Sequence, residues 1–459
     1  MSEVAAGIPP LAGVCSYEEA TRIGYGVDEN VQRLLRYHWT EKRLLEIALS
    51  RIPSTPEWEV KGALSLHQWL GAEHAAALRR RIAEMRHPAP RMDVAPDAAL
   101  AAFLDQIAAA QDTVELVVGL YDVAHRALAD AYRRHLARTN PLVDHPTRRP
   151  LRFALLEEDQ LLAWGDAAVA ALTREPAAAT RAAAWRAHLH GFLAAAGGIA
   201  GDVATADLPP APEPRVARTP SMRPQRDARF HGQYNFEFPP QIVYLLTDVP
   251  TEERNLALLC KRLLEMDVPE LMASFLVEQP DKPWDFYHEY ARQLWDEARH
   301  SMMGEVALES RGVDWRGIPL NIGFSLRLNL HATPPERQMV LYGIEQGLMP
   351  ADTGKRYEYE TARAAGDPLS THFHDYDWAD EVLHAHIGRR WMRALGLAPA
   401  EAVARAHAIH DRVWAELVER YRPLGTQDRA WWPELVRRTL GHESAVKVDA
   451  LGEAVVVPE

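Results

Sequence analysis

Cysteine is nearly absent from this chain: Cys15 and Cys260 are the only two in 459 residues. A disulfide framework and a thiolate metal site are therefore excluded. Long apolar runs are missing as well, and none approaches the ~20 residues that a bilayer-spanning helix needs. Positive charge is in deficit. With 51 basic against 64 acidic residues, the formal net charge of −13 argues against nucleic acid or an anionic membrane as partner. β-Branched runs of period two are scarce, whereas Ala, Leu, Arg and Glu dominate, so the expected fold class is all-α. The opening MSEVAAGIPP lacks the basic-then-apolar order of a signal peptide, and a reducing cytoplasm is the expected compartment. Apolar residues make up 47% of the chain, enough to fill the cores of two or three domains.

What is present is a pair of matching frames. Asp296-Glu297-Ala298-Arg299-His300 and Asp380-Glu381-Val382-Leu383-His384 both read Asp-Glu-x-x-His. On a helix, Glu at i and His at i+3 share a side and can grip one metal ion. Glu-x-x-His alone is weak: 37 Glu and 20 His give about 1.6 chance matches. A third match, Glu84 to His87, runs into Pro88 and reads as chance. Requiring the leading Asp lowers the expectation to about 0.1, yet two occur. Their flanks (Leu294, Trp295, Met302 and Met303; Trp378, Val382, Leu383 and Ile387) are apolar, and carboxylates in such a setting need partners.

Helices are expected at about 28–51, 57–86, 97–137, 150–173 and 177–195. A Pro/Arg-rich stretch without periodicity follows, read as a linker over 201–235. The second half repeats the plan, with helices at about 250–277, 284–311, 335–364 and 370–396. Two more helices, about 400–422 and 428–441, and a tail from Val446 to Glu459 complete the chain. The expected domains are thus 1–200, a helical bundle; 236–398, a second bundle; and 399–459, C-terminal helices and tail.

The halves can be superposed as sequences. An offset of 226 lays Trp69 and His74 on Trp295 and His300, and one of 223 lays Glu158 on Glu381 and Asp122 on Glu345. We infer an internal duplication. Under these offsets Trp39 stands for Glu265, Gly71 for Glu297 and Leu161 for His384. Only His74, Asp122 and Glu158 remain as first-half ligand candidates. The first bundle is therefore read as metal-free, a scaffold, lid or dimer surface, with His67 and His74 as ordinary half-buried histidines. A homodimer is left open.

With these motifs the chain resembles the ferritin-like diiron carboxylate superfamily, well over about 250–396 and faintly over 28–195. The resemblance implies two tandem ferritin-like four-helix bundles, the second holding two metal ions on one Glu from each of two helices and Glu-x-x-His from the other two. The expected ligands are Glu265, Glu297, His300, Glu345, Glu381 and His384. Glu265 lies 13 residues before Glu278 and Glu297 lies 13 after Trp284, which sets both at one depth of an antiparallel hairpin. Glu270 is the alternative. Glu345 could be displaced by Asp352 or Glu358. Gly343 and Gly347 beside it mark either close helix packing or an opening for dioxygen or substrate.

The resemblance further implies that Asp296 accepts a hydrogen bond from His384, and Asp380 from His300. Arg299 would offset surplus negative charge or form a surface pair. Asp377 is a seventh-ligand candidate. Arylamine N-oxygenases of the superfamily carry histidine there, which argues against that subgroup. Tyr342, one turn before Glu345, would hydrogen-bond a ligand. His372 and His374 are read as loop or cap residues.

Carboxylate-rich sites with two imidazoles suit Fe(II) or Mn(II). The implied cofactor is two iron ions, with Mn/Fe as the variant, and the implied activity is an O2-dependent oxidase or oxygenase. It would hydroxylate, desaturate or N-oxygenate a small organic substrate, with electrons from an external donor. A ferroxidase-like iron handler and a metal-free scaffold are the alternatives.

Overall fold

The computed structural model describes residues 7–204, 207–216, 219–350 and 352–446. The expected tail beyond Val446 lies outside the described residues. Among them the chain is all-helical, with no strand. It divides into two compact units: Met1–Ala48 with Leu70–Thr219, and Leu49–Trp69 with Pro220–Glu459. Among the described residues no helix is long and apolar enough to cross a membrane.

The longer helices of the first part of the chain are α1 (Val27–Arg51), α2 (Trp58–Met85), α3 (Ala98–Ala108), α4 (Thr113–Val117), α5 (Arg126–Arg138), α6 (His145–Leu172) and α7 (Pro176–Ala195). The single helix expected over 97–137 is broken. Asp97 caps α3 by accepting Leu100 N–H at 2.8 Å, and Asp112 restarts the chain as α4 by accepting Glu115 N–H at 2.9 Å. A π-helical segment, Val118–His125, joins α4 to α5. Each π turn takes up an extra residue and re-aims the side chains beyond it. In the first unit, Arg36 closes the α7 end by donating to the carbonyls of Ala196 and Ile199, both at 2.8 Å. The Pro/Arg-rich stretch is held in place in both units. Within the first, Arg215 stacks on Trp185 and pairs with Glu115 at 2.5 Å. Within the second, Phe230 enters an apolar core with Trp58 and Trp315.

The second unit continues with α8 (Thr251–Leu263), a single 3-10 turn (Leu264–Met266), α9 (Asp267–Val277), α10 (Trp284–Glu309), α11 (Gly323–His331), α12 (Pro334–Gly347), α13 (Lys355–Ala364), α14 (Pro368–Ala394), α15 (Pro399–Arg420) and α16 (Trp431–Leu440). Proline opens α12, α14 and α15, where its missing N–H costs nothing. Asp367 caps α14 by accepting Ser370 N–H at 3.0 Å. The expected helix over 335–364 is interrupted between Gly347 and Lys355, around Pro350. α10 packs on α8, α9 and α14; α14 also packs on α12 and α13. Two of the four walls are thus broken helices, α8–α9 at its 3-10 turn and α12–α13 at its gap. Both breaks fall beside the expected ligands.

Two glycines set distances here. A Cβ on Gly304 of α10 would lie 2.7 Å from Leu263 N, so only glycine lets α10 lie this close to the end of α8. Ser301 then donates to Leu263 O at 2.9 Å. A Cβ on Gly343 would meet the Ala406 Cβ at 2.6 Å, so this glycine serves the packing of α12 on α15. A Cβ on Gly347, on the other side of Glu345, would meet nothing within 4 Å.

Candidate metal centre

The second unit brings the six expected ligands together. Glu265 comes from the 3-10 turn, Glu297 and His300 from α10, Glu345 from the last turn of α12, and Glu381 and His384 from α14. Asp377 joins them from the turn before Glu381. The donors form two adjoining sets, each with atoms within 4.8 Å of one another: Glu297, Glu345, Glu381 and His384; and Glu265, His300 and Asp377.

His384 Nδ1 lies 3.2 Å from Glu297 Oε1, 3.4 Å from Glu381 and 3.9 Å from Glu345. His300 Nδ1 lies 3.2 Å from Asp377, 3.6 Å from Glu265 and 3.8 Å from Glu297 Oε2. Glu297 therefore turns one oxygen to each imidazole, and the two rings sit 5.9 Å apart. The outer nitrogens are also engaged. His300 Nε2 faces Asp380 at 3.1 Å, and His384 Nε2 faces Asp296 at 3.4 Å. Arg299 donates to both aspartates at 2.6 Å, and Arg292 donates to Asp296 at 2.9 Å. A carboxylate on the outer nitrogen would keep each ring's proton there and leave Nδ1 free as a ligand once an ion displaces the inner proton.

The inward atoms lack ordinary partners. His300 Nδ1, His384 Nδ1, Glu265 Oε2, Glu345 Oε2 and Glu381 Oε2 are buried without a hydrogen bond among the described residues. Such atoms are rare in folded proteins and call for an ion, a water or a proton. With protons alone, burial and then Glu381 push the Glu345 carboxyl well above its usual range. Burial works against charge on His384, but the nearby carboxylates of Asp296, Glu297 and Glu381 outweigh it and favour the protonated imidazole. His300 is likewise lifted to about 10, against burial, by Asp377 and Asp380.

Two cations that sequence reasoning missed enter the second set. Lys355, the first residue of α13, is fully buried. Its ammonium lies 2.8 Å from Glu381, 2.9 and 3.0 Å from the two Asp377 oxygens and 3.8 Å from Glu265. Arg262, three residues before Glu265, reaches Asp377 at 2.5 Å, Glu265 at 2.7 Å and Glu358 at 3.1 Å. Burial opposes charge on both, yet the surrounding carboxylates keep both ionised. Burial raises Glu265 to about 7 even so. Arg262 was within reach of a sequence argument, since Arg at i−3 shares a helix side with Glu265. Lys355 carried no such signal.

Other expectations fare differently. Glu270 faces away, paired with Lys61 and with Arg226 at 2.5 Å. Asp352 is exposed. Glu358 is buried but bound by Lys261 and Arg262. Tyr342 does not hydrogen-bond Glu345. Its ring packs with Met392 and Leu397, and its hydroxyl has no partner among the described residues. Gln293 instead donates to Glu345 at 2.8 Å. His372 and His374 are not loop or cap residues: both lie inside α14, and His374 is buried 3.8 Å from Glu358.

In the first unit, His74 and Glu158 are drawn together, but with Glu41, which the offsets had passed over. His74 is buried among carboxylates rather than half-buried. Asp122 turns outward to Arg186 and Arg126.

The donor chemistry fits a metal ion unevenly. Glu297, Glu345, Glu381 and His384 supply three carboxylates and an inward imidazole, which suits a divalent ion of the iron or manganese kind, although Glu381 is shared with Lys355 at 2.8 Å. Glu265, His300 and Asp377 have the right donors but share them with Lys355 and Arg262. No protein-family model, no curated protein and no solved structure matches this chain.

Proposed function

We propose that the second unit is a ferritin-like carboxylate–histidine bundle and works as an O2-dependent oxidase or oxygenase on a small organic molecule. One observation carries the reading. Two imidazoles, each braced from behind by an aspartate, turn unpartnered Nδ1 atoms toward a shared Glu297 and a ring of buried carboxylates. Glu297, Glu345, Glu381 and His384 would hold a first ion. Glu265, His300 and Asp377 would hold a second in competition with Lys355.

Iron bound there would supply the reduction of dioxygen that hydroxylation, desaturation or N-oxygenation requires, with electrons from an external donor. The chain's own residues do the rest. Asp296 and Asp380 fix the imidazoles, Arg299 ties the two aspartates, and the apolar walls keep water out. The remaining carboxylates take up protons as charge changes.

The test is anaerobic Fe(II) titration of the full chain, followed by oxygen-uptake screens. Two ions lost together in Glu297→Ala/Glu381→Ala, one tight and one weaker, support the proposal; an ion lost only with His74→Ala does not count toward it. Lys355 favours one rival, a metal-free bundle in which this ammonium and Arg262 stand in for the ions. No iron bound in the second unit after reconstitution would establish that rival.

A further inference from the structure

The first unit repeats the same histidine device with different residues. His74 Nδ1 faces Glu41 at 3.0 Å, and its Nε2 faces Glu157 at 2.6 Å. As with His300 and His384, the outer nitrogen stands on one carboxylate and the inner nitrogen turns to another, buried one, here within hydrogen-bond distance. Glu41, His74 and Glu158 offer donor atoms within 4.8 Å of one another, and all three are buried. Each also has an outer support. Tyr132 donates to Glu41 Oε1 at 2.7 Å, Glu157 holds His74, and His125 Nδ1 lies 3.1 Å from both Glu158 oxygens. Glu41 Oε2, in contrast, is buried with no hydrogen-bond partner among the described residues.

We propose that the first unit holds a metal site of its own, a single divalent first-row ion bound by Glu41, His74 and Glu158. Three protein ligands from α1, α2 and α6 leave an open position, as in catalytic rather than structural sites. One ion is expected, not two, because the carboxylate that turns to both imidazoles in the second unit has no equivalent. At the place that the offset of 226 assigns to Glu297 stands Gly71, whose Cβ, if present, would lie 3.5 Å from Glu41 Oε2. Two carboxylates and one imidazole suit zinc, manganese, cobalt or iron(II). His125, Tyr132 and Glu157 are positioning residues for the three ligands.

The experiment uses the full chain carrying Glu297→Ala/Glu381→Ala, stripped of metal and titrated with Co(II) alone. Binding is read by equilibrium dialysis and by the visible ligand-field absorption of the bound ion. The expected result is one cobalt per chain, lost on adding His74→Ala and weakened at least tenfold by the isosteric Glu41→Gln. Glu157→Gln, at a half-exposed position, should weaken binding about 10–100-fold without abolishing it. Circular dichroism checks the helical content of each variant. Should the parent variant not fold, the wild-type chain gives the same answer by subtraction, His74→Ala binding one ion fewer. No cobalt bound by a helical parent overturns the proposal, as does binding that survives both His74→Ala and Glu41→Gln. The outcome is independent of the second unit: a chain whose α10–α14 cluster binds nothing still retains this one ion.

Discussion

The two units solve the same problem of buried negative charge with different means. The first unit gathers Glu41 and Glu158 around His74 and meets them with a hydroxyl and a second imidazole, Tyr132 and His125. The second gathers Glu265, Glu297, Glu345, Asp377 and Glu381 around two imidazoles and adds the permanent cations Lys355 and Arg262. Removing two charges from water is repaid only when geometry and further hydrogen bonds are good. The richer cluster therefore needs internal cations until metal arrives, whereas the poorer one can stand on protonated histidines. Burial opposes charge on His74, but Glu41 and Glu157 lift it to about 10.

Replacing Lys355 breaks this comparison most severely. Lys355→Met leaves Asp377 and Glu381 without their ammonium partner. Loss of one member of a buried pair costs about 3–5 kcal/mol, and that much stability should disappear from the metal-free chain. Divalent metal should then restore it, because the second donor set is freed. Chemical denaturation with and without Mn(II) checks this: metal should stabilise the variant more than the wild type. Equal metal gains in both would mean that Lys355 does not compete with an ion.

Next in size is the outer carboxylate. Asp296→Asn and Asp380→Asn remove the charge behind His384 and His300, and each should lower Fe(II) affinity of the second unit about 10–100-fold. The cobalt site of the first unit should not change, since its outer carboxylate is Glu157. Iron titration in a His74→Ala background and cobalt titration in the Glu297→Ala/Glu381→Ala background separate the two responses.

Acidity sharpens the contrast. In the metal-free chain His384 and Glu345 carry protons because their proton affinities are raised, and His74 does so up to about pH 10. An ion must displace them, so affinity rises with pH and falls on acidification. Each displaced proton contributes about tenfold per pH unit. Near neutrality each site should respond about tenfold per unit for its raised histidine, and the second unit more steeply wherever the raised Glu345 carboxyl also holds its proton. Slopes that vanish above pH 6.5, where an ordinary imidazole is already neutral, would contradict the charge balance described here.

Much of the second cluster was legible because i, i+3 spacing is local and survives any packing. Both frames, and Glu265 at matching depth, needed only helical geometry. Lys355 was not legible, because its meaning comes from Asp377, 22 residues on in the next helix, and its own helix starts only after an interruption that sequence could mark just at Pro350. The first cluster was misread for a reason of register. An offset of 226 sets Trp39 against Glu265, whereas the residue in the cluster is Glu41, which corresponds to an offset of 224. The 3-10 turn at Glu265, with about three residues per turn where α1 has 3.6, takes up only about 0.6 residue of that two-residue slip, so one fixed offset does not hold between the helices. The π segment does the reverse between Val118 and His125, and turns His125 inward in place of Asp122.

Asp122 is accordingly the mildest way to test that register. It lies partly exposed, paired with Arg186 and, at 3.5 Å, with Arg126. Exposed pairs are worth about 0–1 kcal/mol, because water screens them and ordering two side chains costs entropy. Asp122→Asn should shift the denaturation midpoint by no more than that and leave cobalt binding in the first unit unchanged. His125→Asn, only three residues away, removes the support of Glu158 and should weaken cobalt measurably. If Asp122→Asn weakens cobalt more than His125→Asn does, the inward face of the π segment is the one that the duplication offset predicts, and the first unit mirrors the second more closely than its side chains indicate.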